Sequence, residues 1–117
     1  MRNNKAFWAA LDDLVASSRV VIDRPKGTAH PRFPEFIYLL DYGYLEGTSS
    51  PDGREIDAWV GSLPDRKLTA IVATVDTLKR DAEVKLLLGC TSAEASDALR
   101  TINSGPMAGT LIERPRT

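Results

Sequence analysis

L-T-A-I-V-A-T-V-D, running from Leu68 to Asp76, is the stretch on which the fold turns. Its β-branched and small apolar residues make it the strongest strand in the chain. Leu78-Lys79-Arg80-Asp81 follows as a short connection, and Glu83 to Gly89, E-V-K-L-L-L-G, reads as a second strand. Strand, tight turn and strand at this spacing predict an antiparallel hairpin. Beyond it, Thr91 opens T-S-A-E, a capping box closed by Glu94. Ala95, Ala98, Leu99 and Ile102 recur at helical spacing, and Asn103, Gly105 and Pro106 end that helix. Gly109 to Glu113 is expected as a last short strand.

Upstream, Ile56-Asp57-Ala58-Trp59-Val60 reads as a strand, with Ile56, Ala58 and Val60 on one face and Asp57 and Trp59 on the other. An acid in mid-strand between apolar neighbours is costly unless it is paired or bound to a metal. Glu46 to Glu55 is a polar loop around a Pro-Asp-Gly turn. Phe36 to Leu40 is expected as a strand, and Asp41-Tyr42-Gly43-Tyr44-Leu45 as a turn-like element. Arg24 to Pro34 holds three prolines and a glycine, which exclude regular structure. With Arg24, Lys26, His30 and Arg32 it is a stiff cationic loop suited to an anion. Arg19 to Asp23 reads as a short strand. Asn4 to Ser17 reads as a helix with Phe7, Trp8, Leu11, Leu14 and Val15 as its apolar stripe, capped by Asn3 or Asn4. Residues 1–117 are therefore expected to form one α+β domain, mainly antiparallel, a small OB-like β-barrel flanked by an N-terminal and a C-terminal helix.

Composition narrows the function. Of 117 residues, 43% are hydrophobic, enough to build a core and exclude disorder. Fifteen Lys and Arg against sixteen Asp and Glu leave a net charge of −1, so no general attraction to nucleic acid or anionic lipid is implied. The apolar runs are far shorter than the roughly 20 residues a membrane helix needs. The N-terminal residues do not read as a secretory leader, so a cytoplasmic location is expected. The single cysteine, Cys90, excludes an intrachain disulfide and a cysteine-based zinc cluster, and reads as a small buried residue. With one histidine, His30, any metal ligands must be mainly oxygen, which favours Mg²⁺, Mn²⁺ or Ca²⁺.

Four aspartates stand out: Asp52 and Asp57, then Asp76 and Asp81, each pair five residues apart. If their strands are neighbours, the carboxylates converge at one rim of the sheet. Ionised carboxylates that close need a cation between them, or one takes up a proton. The alternative reading is that loop aspartates such as Asp52, before Gly53, simply form turns.

Ile37 to Val60, I-Y-L-L-D-Y-G-Y-L-E-G-T-S-S-P-D-G-R-E-I-D-A-W-V, resembles the centre of the soluble Mg²⁺-dependent inorganic pyrophosphatases of family I. Their pattern reads Y-P-x-N-Y-G-[FY]-I-P-x-T-x-x-x-D-G-D-P-x-D-V, and the intervals Tyr42 to Asp52 and Asp52 to Asp57 agree without a gap. Upstream, V-V-I-D-R-P-K-G-T, Val20 to Thr28, is similar to the family's I-E-I-P-K-G-S. Asp76 and Asp81 have the spacing of its second aspartate pair.

The resemblance implies hydrolysis of inorganic pyrophosphate to two phosphates by water that a divalent metal activates. It implies Asp52, Asp57, Asp76 and Asp81 as ligands of Mg²⁺, with Mn²⁺ or Co²⁺ as substitutes. Asp23 falls where the family has an active-site glutamate. Tyr42, Lys26, Arg32 and Lys85 are the expected phosphate contacts, Lys85 through a two-residue shift that keeps its strand face. The middle acid of the family's D-G-D-P-x-D is Arg54 here, which stays charged and takes no proton. Glu55 is the expected replacement. The family's C-terminal Tyr-Lys contacts have no recognisable counterpart. Two alternatives follow: a Mg²⁺-dependent hydrolase of a nucleotide or other organic diphosphate, and a non-catalytic phosphate- or nucleotide-binding module. The expected partners are pyrophosphate or a related diphosphate and further copies of the chain in a homo-oligomer, with neither nucleic acid nor membrane.

Overall fold

A computed structural model describes residues 4–50 and 53–115. In chain order the elements are α1 (Lys5–Ala16), β1 (Arg19–Arg24), β2 (Asp41–Glu46), β3 (Ile56–Val60), β4 (Leu68–Asp76), β5 (Asp81–Leu88), α2 (Ser92–Ile102) and β6 (Met107–Glu113). The six strands form one mixed sheet in the order β1-β2-β3-β5-β4-β6. Every pairing is antiparallel except β3 with β5, which is parallel, Trp59 opposite Leu87.

Alternation along the strands sorts the core into two layers. On one face, Leu45, Ala58, Val60, Leu68, Ile71, Leu86 and Leu88 meet Trp8 of α1, with Leu11, Leu14 and Val15 packed alongside. On the other, Trp59, Ala70, Val72 and Leu87 meet Ala95, Ala98 and Ile102 of α2. Phe7 does not join the α1 stripe; it is 48% exposed and meets Trp8 edge-on. Adjacent helical residues diverge by about 100°, so Phe7 and Trp8 cannot both face the sheet. The N-cap of α1 is Asn4, without a side-chain capping bond. The Thr91 capping box is complete, and Glu94 also accepts from the Ser62 backbone N–H at 3.1 Å, tying α2 to the loop after β3.

The α+β class and the two flanking helices hold. The closed barrel does not form among the described residues, because the ladder ends at β1 on one side and β6 on the other. Each face is taken by a helix, so neither is left to become a barrel interior.

Two local expectations are corrected. Asp41–Leu45 is not turn-like but most of β2, a strand with neighbours on both sides. Its glycine serves close approach of backbones: a Cβ on Gly43 would lie 1.8 Å from the Val21 carbonyl oxygen. Phe36–Leu40 is not a regular strand. Its alternation is real, with Tyr38 and Leu40 buried and Ile37 and Leu39 exposed, but among the described residues its ladder is the single bridge Ala29 to Ile37. The chain beside it carries Pro31 and Pro34 and offers too few backbone donors for a longer ladder.

Candidate functional site

The face covered by α2 is apolar only as far as that helix reaches. Beyond it the inward positions turn polar: Asp57 on β3, Glu83 and Lys85 on β5, Thr74 and Asp76 on β4. Register sets them side by side, because Thr74 lies opposite Glu83 and Tyr44 opposite Asp57. Asp57, Asp76, Glu83 and Lys85 floor a cleft of about 880 Å³. One wall is the loop after β1, through His30, Phe33, Glu35, Phe36 and Tyr38; the other is the end of α2 and its link to β6, Thr101 to Met107.

Lys85 is the centre of the floor. Its ammonium is 2.7 Å from Asp57 Oδ2, 3.7 Å from Glu83 Oε2 and 3.5 Å from the Tyr42 hydroxyl. The lysine side chain is 6% exposed, so its charge depends on these partners rather than on water. The expected crowding of carboxylates is therefore relieved in part by a cation within the chain. Burial, followed by the charge and hydrogen bond of Asp57, pushes ionisation of the Tyr42 hydroxyl far above its ordinary range. Tyr42 is thus a neutral phenol at any physiological pH.

Asp23, Tyr42, Glu55, Asp57, Asp76 and Lys85, six of the residues singled out in the sequence, line this one cleft. Asp76 is buried and spends Oδ1 on the backbone N–H groups of Leu78 and Lys79, both at 3.0 Å, so it also shapes the β4–β5 turn. Asp81 sits directly opposite Asp76 at the outer end of the hairpin and does not line the cleft. Asp52 lies outside the described residues. Both Arg54 and Glu55 line the cleft.

Lys26 and Arg32 are not brought in. Both are exposed; the Lys26 N–H donates to Asp41 Oδ1 at 2.8 Å and the Arg32 N–H to His30 Nδ1 at 3.0 Å. Of the loop's basic side chains, Lys26 and Arg32 face water while Arg24 and His30 line the cleft. Arg24, read in the sequence as part of the anion-binding loop, does reach the cleft and donates to the Tyr38 hydroxyl at 2.8 Å. Sequence reasoning missed two other features, the contact of Glu83 and a row of rings. Glu83, noted only as an aligned position, touches Lys85. The rings form a row: Trp59 to Tyr42 at 4.8 Å between centroids, Tyr42 to Tyr38 at 5.6 Å, Tyr38 to His30 at 6.2 Å, His30 to Phe33 at 5.1 Å. Of its members only Tyr38 carried a signal, the alternation that sets Phe36 and Tyr38 on the cleft side while Leu40 goes into the core.

Among the described lining residues, six carboxylates (Asp23, Glu35, Glu55, Asp57, Asp76, Glu83) face four fixed cations (Arg24, Arg54, Lys79, Lys85). The lining carries two excess negative charges, which repel a bare polyanion and attract a divalent cation. The donor set is all oxygen, as a hard ion requires. Among the described residues no three acidic, cysteine or histidine side chains already close on a single point. Cys90 is buried beneath α2, where burial and then the charge of Glu94 push its thiol up to about 12; it is no nucleophile at neutral pH. No described helix is long and apolar enough to cross a membrane. The chain matches no protein-family model and no curated protein.

Proposed function

We propose that the protein is a divalent-metal-dependent hydrolase of phosphoric anhydrides, with inorganic pyrophosphate as the smallest substrate. The observation that carries the reading is the convergence of Asp57, Asp76, Glu83 and Lys85, from three strands, on one cleft with Tyr42. The pyrophosphatase-type fold and the resemblance across Val20–Asp81 belong to the same proposal. Asp57 and Asp76, joined by Asp52, would hold Mg²⁺, and Asp81, outside the cleft, drops from the expected ligand set. When bound, the ion acidifies water and offsets phosphate charge.

The chain's own groups supply the remainder. Arg24, Arg54 and Lys79 bind phosphate oxygens. Lys85 donates a hydrogen bond to the departing phosphate, and the neutral Tyr42 hydroxyl donates a second. Glu55 takes the proton of the attacking water, since Arg54 beside it stays charged. Asp23 orients groups at the β1 edge of the cleft.

The test is phosphate release from pyrophosphate by purified protein with Mg²⁺, Mn²⁺ or Co²⁺. Turnover is expected with metal, none with a chelator, and a loss of at least about 100-fold in Asp57→Asn. Release no greater than that of Asp57→Asn with every metal rejects the proposal.

A further inference from the structure

The row of rings extends from the charged floor to the mouth of the cleft. Its inner end, Tyr42, touches Lys85. Its outer end, Phe33, is 56% exposed. A buried ring needs no further explanation, but Phe33 leaves a large apolar face in water on a stiff loop beside a polyanion site. The middle of the row is stacked, with Tyr38 and Tyr42 within 24° of parallel and His30 and Tyr38 within 12°, while Phe33 at the mouth is tilted 43° from His30 and presents its own face. Glu35 stands in the same wall and offers an acceptor to a polar ring edge. Inorganic pyrophosphate has no part that uses this wall.

We infer that the site takes nucleoside diphosphates, the diphosphate over Lys85 and the base stacked on the exposed face of Phe33. This rests on the anhydride-hydrolase reading and narrows its substrate class. An isoprenoid tail is the poorer fit, because Asp23, Glu35 and Arg24 interrupt the wall with charge. In the reaction, water adds to the terminal phosphorus and the bond from that phosphorus to the bridging oxygen breaks. The nucleoside monophosphate leaves with that oxygen and its electron pair, and the water proton passes to Glu55 and on to solvent.

The test is calorimetric binding in Mg²⁺ of α,β-methylene-ADP, methylenediphosphonate and geranyl diphosphate, which separates recognition from turnover. The nucleotide analogue is expected to bind about tenfold more tightly than methylenediphosphonate, and that ratio to collapse in Phe33→Ala and persist in Phe33→Trp. A ratio near one in the native protein overturns the inference. So does a ratio that Phe33→Ala leaves unchanged, or geranyl diphosphate binding as tightly as the nucleotide. Ring-dependent nucleotide binding without hydrolysis of ADP or pyrophosphate upholds this inference and rejects the hydrolase reading.

Discussion

The two faces of the sheet are built from the same strands and differ in what they are for. The face under α1 buries apolar side chains alone: Trp8, Leu45, Ala58, Val60, Leu68, Ile71, Leu86 and Leu88. The face under α2 does the same only until the helix ends. There Thr101 and Ile102 of its last turn become a cleft wall, and the strand positions beneath change to Asp57, Lys85, Glu83 and Asp76. β5 records the change within eight residues, D-A-E-V-K-L-L-L. Its first half alternates polar and apolar, while Leu86, Leu87 and Leu88 are buried whichever way they point. The difference teaches that the cleft is a coverage effect: a polar floor survives where no helix demands apolar contact.

Leu86 and Leu87 give the strongest test of that comparison, since they are adjacent, almost wholly buried and on opposite faces. Either leucine replaced by alanine is expected to cost about 3 kcal/mol of folding free energy in urea. Binding separates them. Leu87→Ala loosens the layer that supports Trp59 and Tyr42 and should weaken pyrophosphate binding several-fold per folded molecule. Leu86→Ala should leave that binding as it was. Equal losses of binding would break the division of labour between the faces.

Next in size is the ion pair of the floor. Asp57→Ala leaves the Lys85 ammonium, 6% exposed, with Glu83 at 3.7 Å and the Tyr42 hydroxyl at 3.5 Å as its remaining partners. We expect a cost of about 2 kcal/mol, below the full value for a stranded buried charge because Glu83 remains. Adding Lys85→Met should recover at least half of it, which a double-mutant cycle measures. If the double variant is no more stable than Asp57→Ala, the floor is held by something other than this pair.

What the amino-acid order revealed was whatever depends on near neighbours. The capping box needs only Thr91 and Glu94, and the β4–β5 hairpin only a tight turn, so both could be read directly. Parity along β3 put Asp57 and Trp59 on one face without knowledge of their partners. The misread elements depended on distant ones. β2 was obscured by Gly43, whose reason is the carbonyl of Val21 on another strand. The parallel pairing of β3 and β5, which joins Asp57 to Lys85 across 28 residues, has no local signature. In the loop after β1, turn geometry rather than periodicity decides which way a side chain points. Lys26 and Arg32 therefore looked like ligand contacts on the same footing as Arg24, while the ring row went unnoticed.

The smallest effects compare the helices' own anchors, one on each face. Glu94 holds α2 to Ser62; burial raises its carboxyl, but hydrogen bonds from Thr91 and Ser62 outweigh this and keep it below the usual 4.5. Asp12 holds α1 to Arg114, whose hydrogen bond keeps it below 3.8, though its side chain is 43% exposed. Both folded values are depressed. Each therefore contributes stability that is full above the ordinary carboxylate range and is lost as pH falls through the folded value. At neutral pH Glu94→Ala should cost about 1 kcal/mol through the lost cap. Asp12→Asn should cost about 0.5 kcal/mol, reduced by solvent screening. Urea unfolding repeated near pH 2.5 should shrink both differences, the Asp12 one toward zero because its partnership is almost purely ionic. An Asp12→Asn deficit that stays constant with pH would mean α1 is held by shape at that end, and the two faces would then differ in their anchors as well as in their floors.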